Sequence, residues 1–206
     1  MEPFTRLTAI AVPMDRVDID TDQIIPARFL LKQRDENYAS YLFHDLRFNP
    51  DGSEKPDFAL NREPYRDSKI IVGNRNFGCG SSREGAVFTL VAYGFRSIIA
   101  PGFGDIFLNN CFNNGVLPVS LDEEKVADLR NQLHARPGAE ITVDLEARMV
   151  TGPDGARHGF DVDPHRRTRL LDGLDAIGYT MQFEDDLQAF EARYREELSW
   201  LYRPGA

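Results

Sequence analysis

The sequence predicts an α/β fold built on a partly parallel sheet. Three observations carry this. First, the apolar run Ile70-Ile71-Val72-Gly73 reads as a buried strand, and Phe95-Arg96-Ser97-Ile98-Ile99-Ala100 reads as another. Between them, Val87, Leu90, Val91 and Gly94 recur on one helical face. Strand, helix, strand in that order predicts a right-handed βαβ unit with parallel strands. Second, Ile141-Thr142-Val143-Asp144-Leu145 and Arg148-Met149-Val150 alternate like the strands of a hairpin. Third, Phe183, Leu187, Phe190, Tyr194, Leu198 and Leu201 recur at helical spacing, so the chain closes on helix.

Composition bounds the classes. A chain of 206 residues with 42% hydrophobic and 28% charged content suits one globular domain with a real core. The net charge of −9 argues against a nucleic-acid surface, which needs a basic stripe, but leaves an anionic small molecule open. The first residues, Met1-Glu2-Pro3-Phe4-Thr5-Arg6, are not followed by the apolar core of a signal peptide, and no stretch has the length of a membrane span. A reduced, cytoplasmic protein is the expectation. Cys79 and Cys111 are the only cysteines, too few for a structural zinc site or an iron–sulfur cluster.

Taken in order, Leu7-Thr8-Ala9-Ile10-Ala11-Val12 is a first strand ended by Pro13. Asp18, Asp20 and Asp22 alternate in the next segment. A calcium loop is excluded, because Gln23 stands where such a loop needs glycine and Phe29 where it needs the bidentate glutamate. An Asx-rich turn capping a helix after Pro26 is the local expectation. A short helix is predicted over 27–31. Residues 32–68 form a polar insertion with one helical patch at 38–44 and a turn-rich piece at 49–56. His44 stands alone there and reads as structural. Phe103-Gly104-Asp105-Ile106-Phe107 opens a helix that stops near Asn113-Asn114-Gly115, and residues 116–121 form the next strand. Asn109, Asn110 and Asn113 are candidate polar contacts near a site, with buried caps the commoner role. Asp122-Glu123-Glu124 opens another helix, and a further strand is expected over 158–162. His158 and His165 read as surface residues. Helix is again expected over 164–174, with Leu170, Leu171 and Leu174 on one side.

The chemistry concentrates in Asn76-Phe77-Gly78-Cys79-Gly80-Ser81-Ser82-Arg83-Glu84. Gly78 and Gly80 allow positive φ and close approach to a ligand. Ser81 and Glu84 have the spacing of a capping box, so the turn is expected to end in a helix N-terminus that favours anions. The dinucleotide fingerprint fails at Arg83, and no Gly-Lys-Ser/Thr follows for a P-loop.

This stretch resembles the serine loop of the aconitase superfamily's swivelling domain, whose free-standing form is the small subunit of 3-isopropylmalate dehydratase. The Asp20-Thr21-Asp22-Gln23-Ile24-Ile25-Pro26 run is similar to the N-terminal signature of those subunits. The Phe-x-Asp-Ile-Phe segment at 103–107 and Asp172-Gly173-Leu174-Asp175-Ala176-Ile177-Gly178-Tyr179 are also similar to them. The resemblance covers residues 18 to about 191. It implies a three-layer β/β/α, aconitase C-terminal-domain-like swivelling domain with a C-terminal helical extension over 164–202. It implies a hydro-lyase subunit of leucine biosynthesis. In that role Ser81 would be the catalytic base and Ser82, Arg83, Asp22 and Thr21 substrate contacts, with Gly78, Cys79 and Gly80 supplying loop and oxyanion backbone. No metal is expected on this chain. A [4Fe–4S] cluster would sit in a larger partner subunit, in a heterodimer that acts on a hydroxy-diacid. Asp22 fits both the Asx turn and the substrate role, and for Ser81 capping and base compete for one oxygen. The family usually carries histidine where this chain has Gly85. That departure leaves open a related diacid of the citraconate, dimethylmaleate or homoaconitate type; a non-catalytic binding module is the remaining alternative.

Overall fold

A computed structural model describes residues 1–80 and 83–202. Seven strands form one hydrogen-bonded sheet in the order β4-β3-β2-β1-β5-β6-β7. The chain enters on β1 (Arg6–Pro13), makes a helical turn α1 (Thr21–Ile24), and crosses the insertion through α2 (His44–Arg47) to β2 (Ile70–Val72). Helix α3 (Glu84–Tyr93) leads to β3 (Ser97–Ala100), and α4 (Asp105–Asn113) leads to β4 (Leu117–Ser120). Helix α5 (Glu123–Ala135) returns the chain to β5 (Glu140–Asp144), β6 (Met149–Thr151) and β7 (Arg157–Gly159). The chain then continues through α6 (Pro164–Asp172), α7 (Ala176–Met181) and α8 (Glu184–Glu197).

β1, β2, β3 and β4 pair in parallel, and β1, β5, β6 and β7 pair antiparallel. The parallel strands are apolar on both faces because both faces are covered. Ile71 and Ile98 point into a core shared with Val87 and Leu90 of α3 and Phe107 of α4. Their neighbours Ile70, Val72 and Ile99 point into the second core, with Val126, Leu129 and Leu133 of α5. Ile141, Val143 and Val150 of the antiparallel half join that second core, so the sheet curls over α5. This is the three-layer mixed architecture the resemblance implied.

Several local expectations are corrected. The Asx cap falls before Pro26, not after it: Asp20 Oδ1 accepts from Gln23 N at 2.7 Å and caps α1. Residues 27–29 form a 3-10 turn, and the helical patch divides into a 3-10 turn (Tyr38–Tyr41) and α2. The buried face of α3 is Ala86, Val87, Thr89 and Leu90, while Val91 is exposed. His158 is half-buried, whereas His165 is exposed and packs edge-on to Tyr179 with ring centroids 4.3 Å apart.

Candidate functional site

Three segments meet beyond the carboxyl ends of the first three strands, where open parallel sheets hold their ligands. They are residues 14–22 after β1, residues 73–80 and Arg83 after β2, and 101–104 after β3. Backbone bonds lace them together. Gly78 N donates to Ile19 O at 2.7 Å, and Thr21 N donates to Cys79 O at 3.1 Å. Phe77 N donates to Gly102 O, and Gly104 N returns a bond to Phe77 O, each at 3.0 Å. Asn76 Nδ2 donates to Asp18 Oδ1 at 2.8 Å; both residues hold positive φ, 59° and 53°.

Glycine is required at the centre of this lacing. Gly78 has φ 72°, and a Cβ there would lie 2.2 Å from the Phe107 ring. A Cβ on Gly104 would lie 2.5 Å from Gly78 O. Glycine at both positions lets the β2 turn sit directly on the start of α4. Gly104 and Phe107 therefore position the site, a role their place in a helix-opening motif did not reveal. The signal was present in the Phe-Gly-Asp spacing, but the contact it serves is tertiary.

Helix α3 begins at Glu84, and extended Arg83 occupies the N-cap without a side-chain cap bond. The S-x-x-E capping box is thus corrected: the cap position is Arg83, and Glu84 Oε1 instead accepts from Asn114 Nδ2 at 3.1 Å. Ser81 and Ser82 lie outside the described residues.

Arg83 Nη1 donates to Asp22 Oδ1 at 2.8 Å, which joins two of the predicted substrate residues across the loops. Both side chains are substantially exposed. An ion pair this exposed contributes about 0–1 kcal/mol, so an incoming carboxylate displaces it at little expense. Thr21 is placed differently: it is buried, and its hydroxyl finds no partner among the described residues. Cys79 is partly buried, and burial first, then Asp20 and Asp18, push its thiol up. Burial pushes the Cys111 thiol up as well. Neither is poised as a thiolate, and the two thiols do not fit an iron–sulfur cluster, which takes three or four thiolates.

Asn109 and Asn113 do not face this site and are exposed rather than buried caps. They accept from Arg166 at 2.5 Å and Arg169 at 3.1 Å and so hold α6 against α4, while Asn110 O accepts from Asn114 Nδ2 at 2.9 Å. His44 is sandwiched between Phe29 and Phe48, in a structural role. Gly85 packs under the insertion: a Cβ there would lie 2.7 Å from Leu30 Cδ2 and 3.5 Å from the Tyr38 hydroxyl. Two concavities, of about 810 and 730 Å³, open between β4 and β6–β7 and between the end of β1 and the insertion; of the described residues in the turn, 76–80 and 83–85 line neither.

The fold and this laced turn place the chain in the aconitase C-terminal domain class, whose family model matches residues 1–124. A model of the LeuD N-terminal region matches residues 127–164, and one of the C-terminal domain of the 3-isopropylmalate dehydratase small subunit matches residues 177–203. The chain is 49% identical over 203 residues to the 3-isopropylmalate dehydratase small subunit of Gluconacetobacter diazotrophicus, covering 98% of each chain. It is 47% identical over 201 residues to that of Paramagnetospirillum magneticum, covering 98% of this chain and 100% of the relative. The 3-isopropylmalate dehydratase (leuD) structure from Methanocaldococcus jannaschii shares the fold, with a TM-score of 0.65 at 23% identity, covering 90% of this chain and 99% of that one. The chain belongs to the 3-isopropylmalate dehydratase small-subunit family.

Proposed function

We propose that this chain supplies the base and a carboxylate-binding arginine to a 3-isopropylmalate dehydratase, a hydro-lyase of leucine biosynthesis that is active only with a large subunit. The observation that carries this is the exposed Arg83–Asp22 pair at the end of a glycine-laced turn, which leaves one wall of a site open to a partner. A reaction that must exclude water needs a second wall, and the small-subunit relatives imply where it comes from.

The reaction interconverts 2- and 3-isopropylmalate through an unsaturated diacid. A proton leaves the carbon beside a carboxylate and a hydroxyl leaves the adjacent carbon as water; both return with the positions exchanged. Ser81 Oγ takes and returns the proton. Its alkoxide is stabilised by the N-terminus of α3 and by the Arg83 charge, while Gly78, whose N–H is given to Ile19 O, shapes the turn. Arg83 turns from Asp22 to a substrate carboxylate, where its planar fork makes two parallel bonds, and Ser82 hydrogen-bonds the same diacid. Thr21, tied by its N–H to Cys79 O, sets the neighbouring Asp22 beside the turn. The two thiols of this chain do not fit a [4Fe–4S] cluster, so a cluster held by the large subunit would supply the Lewis acid that the departing hydroxyl needs. The setting is cytoplasmic; no helix among the described residues is long and apolar enough to cross a membrane.

The test is Ser81→Ala assayed with the large subunit under anaerobic cluster reconstitution. Turnover is expected to fall by roughly 10²–10⁴-fold with assembly unchanged. Full turnover by an intact complex overturns the base assignment. Gly85 favours one second reading, a diacid of the citraconate, dimethylmaleate or homoaconitate type. Leu30 fills the space that a side chain at 85 would take, which shapes the volume beside Arg83. Parallel assays with those diacids decide it by the ratio of kcat/KM.

A further inference from the structure

Every residue from 180 to 193 is exposed, although Phe183, Leu187, Phe190, Tyr194, Leu198 and Leu201 follow one another at the spacing of a single helical face. Helix α8 carries Leu187, Phe190 and Tyr194 of this face, with Phe183 at its N-cap, Leu198 at its C-cap and Leu201 in the 3-10 turn that follows, and no described element of the body covers the helical part. Tyr194 packs on its neighbours in the arm, Phe190 and Tyr202, with ring centroids 5.5 and 6.4 Å apart. A helix of 14 residues without tertiary packing is marginal in water. An apolar stripe of this kind on an amphipathic helix is the anchor pattern of helix-in-groove recognition.

We infer that α8 is the docking arm for the large subunit, seated by its apolar stripe in a groove with a basic rim. This rests on the function proposed above. Two observations choose that occupant over a second copy of this chain. The first is charge. The stripe is flanked by Glu184, Asp186 and Glu191, and the nearby cations Arg195 and Arg193 already lie 3.6 and 3.9 Å from Glu191 and Glu197 of the same helix. Pairing two such arms would set carboxylates against carboxylates between chains of net charge −9.

The second is place. Helix α6 runs along α4, with Arg166 on Asn109 and Arg169 on Asn113. Helix α7 then doubles back, because Tyr179 returns to His165, and Phe183 packs on Tyr179. The arm therefore leaves the body beside α4, at the level of Asn109, and the same helix begins at Gly104, which abuts Gly78 of the turn. A single partner surface laid along α4 would meet both the arm and the turn.

The test is the full-length double variant Leu187→Glu/Phe190→Glu against the cognate large subunit, followed by calorimetry and sedimentation. Its dissociation constant is expected to rise roughly 100-fold or more, with the thermal transition of the isolated chain unmoved. Leu187→Met is expected to bind as wild type. An unchanged constant for the double variant overturns the inference. So does wild-type self-association that the double variant abolishes while its affinity for the large subunit holds, which would make a second copy the occupant. Ser81→Ala, run alongside, is expected to bind fully. A complex that forms through the arm without isopropylmalate turnover overturns the proposed function and leaves the docking assignment standing.

Discussion

The insertion between β1 and β2 and the arm after α6 are both appendages to one sheet, and they treat their apolar side chains in opposite ways. The insertion reads as polar and irregular, yet Tyr38, Leu42, Phe43, Leu60 and Tyr65 are buried against Ile24, Ile71 and Leu90. The arm reads as strongly periodic, yet its phenylalanines and leucines face solvent. Periodicity reports the local conformation and which side chains share a face. It does not report whether anything in the same chain meets that face. Sparse apolar residues in a polar segment give no periodic signal, but the turns between them can still bring each one to the core.

The comparison breaks most sharply on two phenylalanines. Phe43, wholly buried at φ 49°, should cost about 3–5 kcal/mol on replacement by alanine. Phe190→Ala in the isolated chain should change stability by less than about 0.5 kcal/mol. Urea unfolding of both variants checks this. Equal losses would mean that the arm is packed in solution, which would remove the reason to seek a partner for it.

The insertion is also closed by polar contacts that the arm lacks. Asn61 Oδ1 accepts from Arg47 Nε at 3.1 Å, and its amide donates to Arg47 O at 2.7 Å and Lys55 O at 3.0 Å. Arg47 is buried, its guanidinium about 5 Å from the Phe48 and Tyr93 rings, and burial pulls its pKa down. Asn61→Leu would leave a buried guanidinium and two carbonyls short of partners. A loss of about 2–3 kcal/mol is expected, with faster amide exchange confined to 42–61, measured by hydrogen–deuterium exchange.

These contrasts show what a single chain makes legible. The parallel strands are legible because strands covered on both faces are continuous apolar runs. The serine turn is legible because Gly78 and Gly80 have no other reason to stand so close together. The partners that make it a site are not. Asp18 meets Asn76, and Gly104 meets Gly78, across separations that no local pattern encodes. The capping-box spacing at 81–84 misleads because Arg83 takes an extended conformation and the cap position with it. Asp20 misleads by one helix, because Pro26 draws attention away from the helical turn that precedes it.

The smallest effect concerns how the insertion is pinned at its edge. Asp45 of α2 takes both arms of the Arg28 guanidinium, Nη1 at 2.9 Å on Oδ2 and Nη2 on Oδ1, with His44 alongside. The Arg28 hydrogen bonds hold the Asp45 carboxyl down at about 2. An unfolded aspartate titrates near ~3.9, so the folded pKa is the depressed one. The stabilisation is therefore present above roughly pH 4 and drains away as pH falls through 2. It is small, because both side chains are more than half exposed and solvent screens the pair. Carboxyl carbon shifts followed through an acid titration should place the Asp45 midpoint near 2 in the wild type and return it toward ~3.9 in Arg28→Ala. The variant's amide exchange should rise first at 27–47 and stay unchanged in the arm, since the arm shares no charge with this pair. A rise spread equally over α8 would mean that the two appendages lean on one another, and the contrast between a packed insertion and an uncovered arm would fail.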